Sequence, residues 1–256
     1  MKTLALVQAR MQSTRLPGKM MAPLGDKCVL NRVLDRVARA QNLSGTVVAT
    51  SDLPADNSLA EACRSWGFPV FRGSESDVLG RFVGAARAFD ANQVIRVNAD
   101  NPLIDPAYID QLVEDARPGQ ADYTSFRREG RPVMLTALSF FAERVSRECL
   151  ERAEREITDP TEREHVTIGI YKRPERYAVR WIDVPSFCAD ARLRFTIDTA
   201  ADLELVRQVW ASLGNRAALA GAEEIVRLAL GRPDWMEQMA AMNAAHPKVK
   251  KEGLGS

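Results

Sequence analysis

A loop near the N-terminus concentrates positive charge. Residues 8–19 read QARMQSTRLPGK and place Arg10, Arg15 and Lys19 beside two hydroxyl side chains. Arginine and lysine neutralise phosphate oxygens, and a loop of small residues lets backbone N–H groups approach them. The loop matches neither GxxxxGK[ST] nor GxGxxG. We predict a polyphosphate site here; a solvated basic loop is the alternative.

A second loop carries an acid directly after an apolar run. Residues 96–105 read RVNADNPLID. An aspartate just past a strand, such as Asp100, can hold Mg²⁺ against substrate phosphates, because Mg²⁺ prefers hard oxygen ligands. Asparagine and aspartate also form turns, and Asp105 is predicted to cap the helix that starts at Pro106. We assign metal binding to Asp100 and capping to Asp105.

A third acid, Asp198, follows the run LRFTI at residues 193–197, which we predict to be a strand. The next residue, Thr199, could be a helix N-cap, so Asp198 alone is either a metal ligand or the neighbour of a cap. Ligands of α/β sheets bind beyond the carboxyl ends of the strands. Two carboxylates meeting there would repel each other without a cation. From the residues alone Asp198 therefore stays ambiguous: it shares one Mg²⁺ ion with Asp100, or it is the neighbour of a helix cap.

Composition limits the possible classes of protein. The chain has 256 residues, 46% hydrophobic and 27% charged, which is typical of a globular protein. A net charge of +1 argues against a general nucleic-acid binder. Four cysteines without a CxxC pair predict neither a zinc site nor a disulfide framework and favour a cytoplasmic location. The apolar run from Leu4 to Val7 is too short for a signal peptide or a membrane span. We interpret Arg32, Arg36 and Arg39 as the solvated face of a helix.

Hydrophobic periodicity in the first hundred residues predicts alternating strands and helices. The predicted strands are 3–8, 46–50, 69–71 and 93–97, and the predicted helices are 28–40, 56–66 and 77–89. This alternation is typical of βαβ units and a mainly parallel sheet. The ligand is therefore expected at the two loops described above.

The second half of the chain is less regular. Strands are predicted at 123–126, 177–184 and 193–197, and a helix at 200–213. Residues 140–145 are either a strand followed by a helix capped by Ser146, or the start of one long helix. No linker marks a second domain, so we predict one domain over residues 1–247 and a flexible tail at 248–256.

Five segments occur in the order of a known family. They are QARMQSTRLPGK, FRGSESDVLGRF, RVNADNPLIDP, TDPTEREHVTIGIYKRPERY and LRFTIDTAADLELV, within about residues 3–210. The chain resembles the acylneuraminate / CMP-Kdo cytidylyltransferase family, in particular its spore coat polysaccharide biosynthesis protein F branch. The resemblance implies an α/β fold, with a Rossmann-like, doubly wound, mainly parallel sheet and a small α+β insertion. It also implies a homodimer, CTP as donor, Mg²⁺ as cofactor, a small-molecule hydroxyl acceptor and release of pyrophosphate.

Matching the motifs by position, the resemblance implies three sets of site residues. The catalytic set is Arg10, Lys19, Asp100 and Asp198, of which Asp100 and Asp198 bind the metal. The nucleotide-binding set is Ala9, Arg10, Ser13, Arg15, Lys19, Arg72, Ser74, Asp77, Arg81 and Asn98. The acceptor-binding set is Glu143, Glu164, His165 and Tyr171.

One departure from the family concerns the acceptor. Relatives often carry a Gly-Leu-Asp-Val-Glu-like stretch where residues 139–143 read SFFAE, so that Phe141 stands in place of an acid. This change predicts an acceptor pocket that is more apolar than in relatives or that uses other groups, and therefore poor turnover of Kdo and N-acetylneuraminic acid.

Two other functions compete with nucleotidyl transfer. A glycosyltransferase that uses a nucleotide sugar would carry a DxD pair, whereas Asn98-Ala99-Asp100 supplies one acid. A non-catalytic nucleotide-binding protein would be expected to have lost Lys19 or one of the metal acids, and all are retained. Neither nucleic acid nor a membrane is expected as a partner.

Overall fold

A computed structural model describes residues 1–115 and 121–245 of the chain. The tail predicted at 248–256 lies outside the described residues. The strands are β1 (Thr3–Gln8), β2 (Pro23–Leu24), β3 (Lys27–Cys28), β4 (Gly45–Ser51), β5 (Val70–Gly73), β6 (Gln93–Asn98), β7 (Tyr123–Arg128), β8 (Arg131–Pro132), β9 (Glu143–Ser146) and β10 (Val179–Asp183). The helices are α1 (Val29–Val37), α2 (Asn57–Ser65), α3 (Val78–Ala88), α4 (Pro106–Glu114), α5 (Arg147–Glu156), α6 (Pro160–Glu164), α7 (Ile168–Tyr171), α8 (Ala200–Leu213), α9 (Ala222–Leu230) and α10 (Pro233–Ala245).

The central sheet is mixed and mostly parallel. Its strand order is β10-β7-β9-β6-β1-β4-β5, with β8 paired to β7. β1 runs parallel to β4 and β6, β4 runs parallel to β5, and β7 runs parallel to β10. β9 is antiparallel to both β6 and β7 and therefore joins the two parallel parts. The predicted α/β fold with a mainly parallel sheet is confirmed.

Helices cover both faces of this sheet. Along β1, Ala5 and Val7 belong to one buried cluster, whereas Leu4 and Leu6 belong to the other. This alternation follows from the two-residue period of a strand. The first cluster includes the apolar residues of α1, α8 and α10, and the second those of α3 and α5. The sheet is therefore doubly wound, as the resemblance implied.

Side-chain caps fix where several helices begin. Asp77 accepts a hydrogen bond from Gly80 N at 2.9 Å, and Asp105 accepts one from Ala107 N at 3.0 Å. Ser146 caps α5 directly after β9, so the strand-then-helix interpretation of this region is confirmed and the single helix is wrong. Because each cap satisfies a backbone N–H that has no partner inside its helix, these polar residues set the boundaries.

The strand predicted at 193–197 is wrong. These residues have no regular secondary structure, and Phe195 N and Thr196 N donate to Ala137 O, at 2.9 and 3.3 Å, rather than to another strand. Ile197 N donates to Asp100 O at 2.9 Å. Apolar alternation reports which side chains are buried and not which backbone is the partner. Asp198 therefore follows a segment that crosses the loop after β6, and not a strand of the sheet.

The arginines of α1 are not a solvated face. Arg36 is 1% exposed and donates to Ile104 O and Ala220 O, both at 2.7 Å. Burial lowers the pKa of Arg36 to about 10, against the opposing effect of Asp105. Arg32 is also buried, and its Cζ lies over the Trp210 ring, 4.5 Å from the ring centroid. The interpretation failed because Arg36 donates to carbonyls of irregular segments distant in sequence and Arg32 packs on a tryptophan of α8, and periodicity detects neither contact.

Two further sequence expectations can be compared with the fold. All four cysteines are free, three of them buried, so no disulfide forms among them. Within the described residues, no helix is both long enough and apolar enough to span a bilayer.

Candidate active site

A cavity of about 550 Å³ opens at the carboxyl ends of β1 and β6. One side is the loop after β1, and the other is the segment that contains α6 and α7. The lining residues are Gln8, Ala9, Arg10, Gln12, Ser13, Thr14, Arg15, Lys19, Met20, Arg96, Asn98, Ala99, Asp100, Met134, Leu135, Thr161, Glu164, His165, Thr167, Ile168, Tyr171, Lys172 and Asp198. The structure thus brings together both predicted metal ligands, all the predicted residues of the first loop, and three of the four predicted acceptor residues.

The cationic loop is fixed at both of its ends. Met11 N donates to Asp56 Oδ1 at 2.7 Å, and Gly18 N donates to Met11 O at 3.1 Å. Gly18 adopts a φ of 72°, which glycine reaches without steric cost. Burial favours a raised pKa for Asp56, but hydrogen bonds from Met11, Ser51 and Thr50 outweigh it, so the pKa is lowered. Asp56 is therefore a carboxylate that holds the loop against the sheet.

Lys19 lies between the two predicted metal ligands. Its Nζ is 3.7 Å from Asp100 Oδ2 and 3.7 Å from Asp198 Oδ1. The same nitrogen donates to Ile197 O at 2.7 Å. Arg15 Nη2 lies 3.0 Å from Asp198 Oδ1, and the Arg15 side chain is 45% exposed. The two acids are therefore close enough to share one cation. In this structure the Lys19 ammonium group lies beside both acids, and the Arg15 guanidinium group lies beside Asp198.

Asp198 is oriented by a buried ion pair behind it. Asp202 accepts hydrogen bonds from Asp198 N at 3.0 Å and from Thr199 N at 2.7 Å. Arg194 donates to Asp202 through Nε at 2.6 Å and through Nη2 at 3.1 Å. Burial favours a raised pKa for Asp202, but the bonds from Arg194 and Thr199 outweigh it and lower the pKa. The predicted helix cap at Thr199 and the carboxylate of Asp198 are thus both held in place by Asp202.

The oxygen donors in this part of the cavity fit a hard divalent cation. Asp198 is 3% exposed, and its Oδ2 has no hydrogen-bond partner in the described part of the chain. Its distance to Arg194 Nη2 is 3.7 Å. No group of three or more His, Cys, Asp or Glu residues among 1–115 and 121–245 could hold a metal. Two carboxylates alone are typical of Mg²⁺ sites in which substrate phosphates and water complete the shell.

The far wall of the cavity is the segment around α6 and α7. Arg10 Nη2 lies 3.3 Å from Glu164 Oε1, so this contact joins the far wall to the cationic loop. Partial burial and the adjacent Arg96 guanidinium lower the pKa of His165, which keeps the imidazole neutral at neutral pH. Tyr171 packs against Tyr123, with ring centroids 5.8 Å apart.

Glu143 does not line the cavity. It is fully buried beneath the far wall and forms a short ion pair with Arg96. Tyr123 Oη donates to Glu143 Oε1 at 2.5 Å, and Thr167 Oγ1 donates to the same oxygen at 2.7 Å. Glu143 was predicted to contact the acceptor directly. In this structure it could affect the acceptor only through Arg96 or Thr167, which do line the cavity.

Four predicted nucleotide-binding residues lie outside the cavity lining of the described chain. Arg72 donates to Ser51 O at 2.9 Å and Leu53 O at 2.7 Å. Arg81 is buried, which lowers its pKa to about 10, and donates to Ser74 O at 2.7 Å. Asp77 caps α3 and accepts two hydrogen bonds from Arg163, at 3.0 and 2.6 Å. In this structure Arg72, Ser74, Asp77 and Arg81 hold loops together, and their contact with nucleotide stays a prediction.

Phe141 does not face the cavity either. Its ring packs between Tyr108 and Phe126, with centroid distances of 4.6 and 4.7 Å, and it is 1% exposed. The interpretation that Phe141 makes the acceptor pocket more apolar is therefore wrong. Phe141 precedes β9 and belongs to the buried cluster that includes α1, α8 and α10, whereas Tyr123, which donates to Glu143, belongs to the other cluster.

Sequence reasoning missed several lining residues, of which Arg96 and Thr167 matter most. Arg96 lies on β6 between apolar neighbours and is 6% exposed. An arginine inside a run that otherwise predicts a buried strand was the available signal, because a buried cation needs a partner. Thr167 carried no comparable signal, since a threonine in an irregular segment is common.

Comparisons with known proteins agree with this geometry. A family model described as "Cytidylyltransferase" matches residues 4–242. Spore coat polysaccharide biosynthesis protein SpsF of Bacillus subtilis is 34% identical over 236 residues, 90% of this chain and 95% of that one. A cytidylyltransferase structure from Leptospira borgpetersenii has a TM-score of 0.77 at 25% identity and full coverage of both chains. The structure of a CMP:2-keto-3-deoxy-manno-octonic acid synthetase complexed with CTP shares the fold, with a TM-score of 0.65 at 18% identity over 83% of this chain and 99% of that one.

Proposed function

Because the chain belongs to the cytidylyltransferase family, we propose that it transfers CMP from CTP to the hydroxyl of a sugar or sugar acid and releases pyrophosphate. The observation that carries the proposal is the meeting of Arg15 and Lys19 with Asp100 and Asp198 in one cavity at the carboxyl edge of the sheet. A cationic loop facing two acids is what a triphosphate bound with a divalent cation requires.

The proposed reaction is an in-line attack of the acceptor oxygen on the α-phosphorus of CTP. The new bond joins that oxygen to phosphorus, and the acceptor O–H bond breaks with its proton passing to water. The bond from the α-phosphorus to the bridging oxygen breaks, and pyrophosphate leaves with the electron pair. Such transfers depend mainly on positioning and on neutralising charge. Arg10, Arg15 and Lys19 would bind the phosphates, because each has a cationic group at the cavity surface.

We propose that Asp100 and Asp198 hold Mg²⁺ together with phosphate oxygens. The buried Oδ2 of Asp198, which lacks a hydrogen-bond partner in the described chain, supports this assignment. When bound, the ion would neutralise phosphate charge and lower the pKa of a coordinated hydroxyl. Arg15 is the protein cation that can leave most easily, because its side chain is 45% exposed. Its movement from Asp198 to the phosphates would uncover the carboxylate.

The acceptor is proposed to bind against the far wall of the cavity. The neutral imidazole of His165 can accept a hydrogen bond from an acceptor hydroxyl, and Tyr171 and Thr167 supply further polar groups there. A sugar acid is the first candidate, because the fold neighbour with bound CTP is named for 2-keto-3-deoxy-manno-octonic acid. Lys172 gives this wall a positive charge that would suit a carboxylate, and Arg96, although paired with Glu143, lines the cavity and carries further N–H donors.

The test is a matrix of donors and acceptors assayed for pyrophosphate. The purified protein is incubated with Mg²⁺ and CTP, UTP, GTP or ATP, each with 3-deoxy-manno-octulosonate, N-acetylneuraminic acid, a neutral hexose or a hydroxyalkylphosphonate. We expect pyrophosphate only from CTP, only with an acceptor, and in equal amount to a CMP-linked product. A parallel series replaces the triphosphate by a nucleotide sugar, and release of a nucleoside diphosphate there would instead support the glycosyltransferase. Binding of CTP without turnover of any acceptor would support the non-catalytic alternative.

A further inference from the structure

Glu143 joins three separate parts of the chain beneath the far wall of the cavity. It lies on β9 opposite Arg96 of β6, and it also accepts hydroxyl hydrogen bonds from Tyr123 of β7 and from Thr167 before α7. Glu143 and Tyr123 are 0% exposed and Thr167 is 1% exposed. A buried carboxylate is tolerated only when its charge is paired and hydrogen-bonded, so all its partners are held in place with it.

The residue before Thr167 adopts a strained backbone conformation. Val166 has a φ of 60°, a region that β-branched residues rarely occupy. Thr167 N donates to His165 O at 2.7 Å, which closes a three-residue turn centred on Val166. Turns of this kind with a positive φ at the centre are rare and strained, and they persist only where the surroundings hold them.

Two contacts hold this turn. The Val166 side chain is 0% exposed and belongs to the cluster that contains Tyr123 and Ile170. On the other side of the turn, the Thr167 hydroxyl is bound by Glu143 at 2.7 Å. His165 and Thr167, the outer residues of the turn, both line the cavity, whereas Val166 packs into the core. The strained backbone at Val166 therefore determines how the side chains of His165 and Thr167 are oriented along the cavity wall.

We propose that Glu143 is a positioning residue for the acceptor wall. It holds Arg96 and the strained turn at Val166 in place, and through them it fixes His165 and Thr167. The proposal rests on the proposed function only in calling this wall the acceptor side. The triphosphate side depends less on Glu143, since Asp56 anchors the cationic loop at Met11, and Arg96 reaches that side only through its bond to Gln8 Oε1 at 3.2 Å.

The carboxylate charge is essential to this role. Glu143→Gln keeps the size of the side chain but replaces one oxygen by an NH₂ group, which would face either the Nη1 donor of Arg96 or the hydroxyls of Tyr123 and Thr167. Arg96 would then lose its anionic partner while remaining 6% exposed, so it and the wall would have to rearrange. Thr167→Val removes only the hydroxyl that anchors the turn, whereas Thr167→Ser retains it.

The first test measures amide hydrogen exchange in the peptide that covers residues 164–172. We expect about tenfold faster exchange in Glu143→Gln and Thr167→Val than in the wild-type protein, as for the loss of one hydrogen bond to a charged group. Thr167→Ser should restore wild-type exchange. Tyr123→Phe is the matched control: it removes a hydroxyl from the same Glu143 oxygen but leaves both anchors of the turn, so exchange should stay within about twofold of wild type. Unchanged exchange in Glu143→Gln and Thr167→Val, in folded proteins, would overturn the proposal.

The second test separates the two sides of the cavity. Calorimetric CTP affinity should stay within about twofold of wild type in Glu143→Gln, whereas KM for 3-deoxy-manno-octulosonate at saturating CTP should rise about tenfold. Equal losses in CTP affinity and acceptor KM would contradict an acceptor-specific role. If the wild-type protein turns over no acceptor, the proposed function fails, and the exchange experiment still decides the role of Glu143.

Discussion

Lys19 Nζ lies 3.7 Å from Oδ1 of Asp198, and the same nitrogen lies 3.7 Å from Oδ2 of Asp100. The ammonium group thus occupies the space between two acids that are distant in sequence. Without a cation there, the two carboxylates would repel, and one would have to bind a proton. A metal ion must therefore share this space with Lys19 or displace it, and the balance between them can be measured.

We predict that removing the lysine charge increases metal affinity in the absence of nucleotide. In Lys19→Met the two carboxylates lose their nearest shared cation, so Mn²⁺, as a spectroscopic substitute for Mg²⁺, should bind at least about tenfold more tightly than to wild type. Electron paramagnetic resonance titration of free Mn²⁺ measures this. Lys27→Met is the matched control, because Lys27 is an exposed lysine paired with Asp35. Its Mn²⁺ affinity should equal that of wild type. Equal Mn²⁺ affinity in Lys19→Met and wild type would show that Lys19 does not compete with the metal.

Arg15→Ala is expected to weaken CTP binding. Each hydrogen bond between Arg15 and a phosphate should contribute about 1.5–3 kcal/mol, so the Kd should rise roughly tenfold to a hundredfold. Isothermal titration with CTP in the presence of Mg²⁺ gives the Kd directly. Arg131→Ala is a suitable control, because Arg131 is exposed and lies outside the cavity lining of the described residues. An unchanged Kd in Arg15→Ala would argue against the loop as the triphosphate site.

Asn at either acid should abolish turnover while the fold is retained. Asp100→Asn and Asp198→Asn keep size and part of the hydrogen bonding but remove the charge that would hold the metal. Because the two would act as a unit, the double variant should be little slower than either single one. Pyrophosphate release measures turnover, and circular dichroism checks the fold. If Asp198→Asn keeps near-normal activity, the shared metal site is wrong and Asp198 is only the neighbour of a helix cap.

Asp202→Asn should destabilise the protein in a pH-dependent way. The change leaves the buried Arg194 without its closest anion, so the free energy of unfolding at pH 7 should fall by roughly 3–5 kcal/mol. The folded pKa of Asp202 is lowered. Its contribution to stability is therefore complete above the unfolded value of about 3.9 and is lost as the pH falls through the folded pKa. Urea unfolding from pH 7 downwards should show the difference between variant and wild type narrowing below about pH 4.

Asp234→Asn, at an exposed aspartate paired with Arg232, controls for the loss of a surface charge. It should leave the urea midpoint close to that of wild type. A constant difference between Asp202→Asn and wild type at all these pH values would contradict a lowered pKa.

Local patterns were enough to predict the parallel part of the fold and the cationic loop that lines the cavity. β1, α3 and the cap at Asp105 follow from hydrophobic periodicity and capping chemistry, which are properties of neighbouring residues. The resemblance added Asp198, which the sequence alone left ambiguous. It lies beside Asp100 because Ile197 N donates to Asp100 O, a contact between irregular segments.

Long-range partners account for what the sequence could not predict. The role of Glu143 depends on Arg96, Tyr123 and Thr167, which meet it only after the sheet has formed. Phe141 looked like a change in the acceptor pocket because position in a motif does not reveal which face a side chain occupies. Arg36 looked solvated because its carbonyl partners lie in a distant segment.

The central claim, that CTP reacts at its α-phosphorus in the cavity between the cationic loop and α7, has one direct test. CTP labelled with ³²P at the α position, and in a parallel reaction at the γ position, is incubated with Mg²⁺, the protein and 3-deoxy-manno-octulosonate or another acceptor that supports pyrophosphate release. The account predicts that α label appears in the CMP-linked product, that γ label leaves as pyrophosphate, and that neither moves in Asp100→Asn. Transfer of γ label to the acceptor, or unchanged transfer of α label in Asp100→Asn, would contradict it.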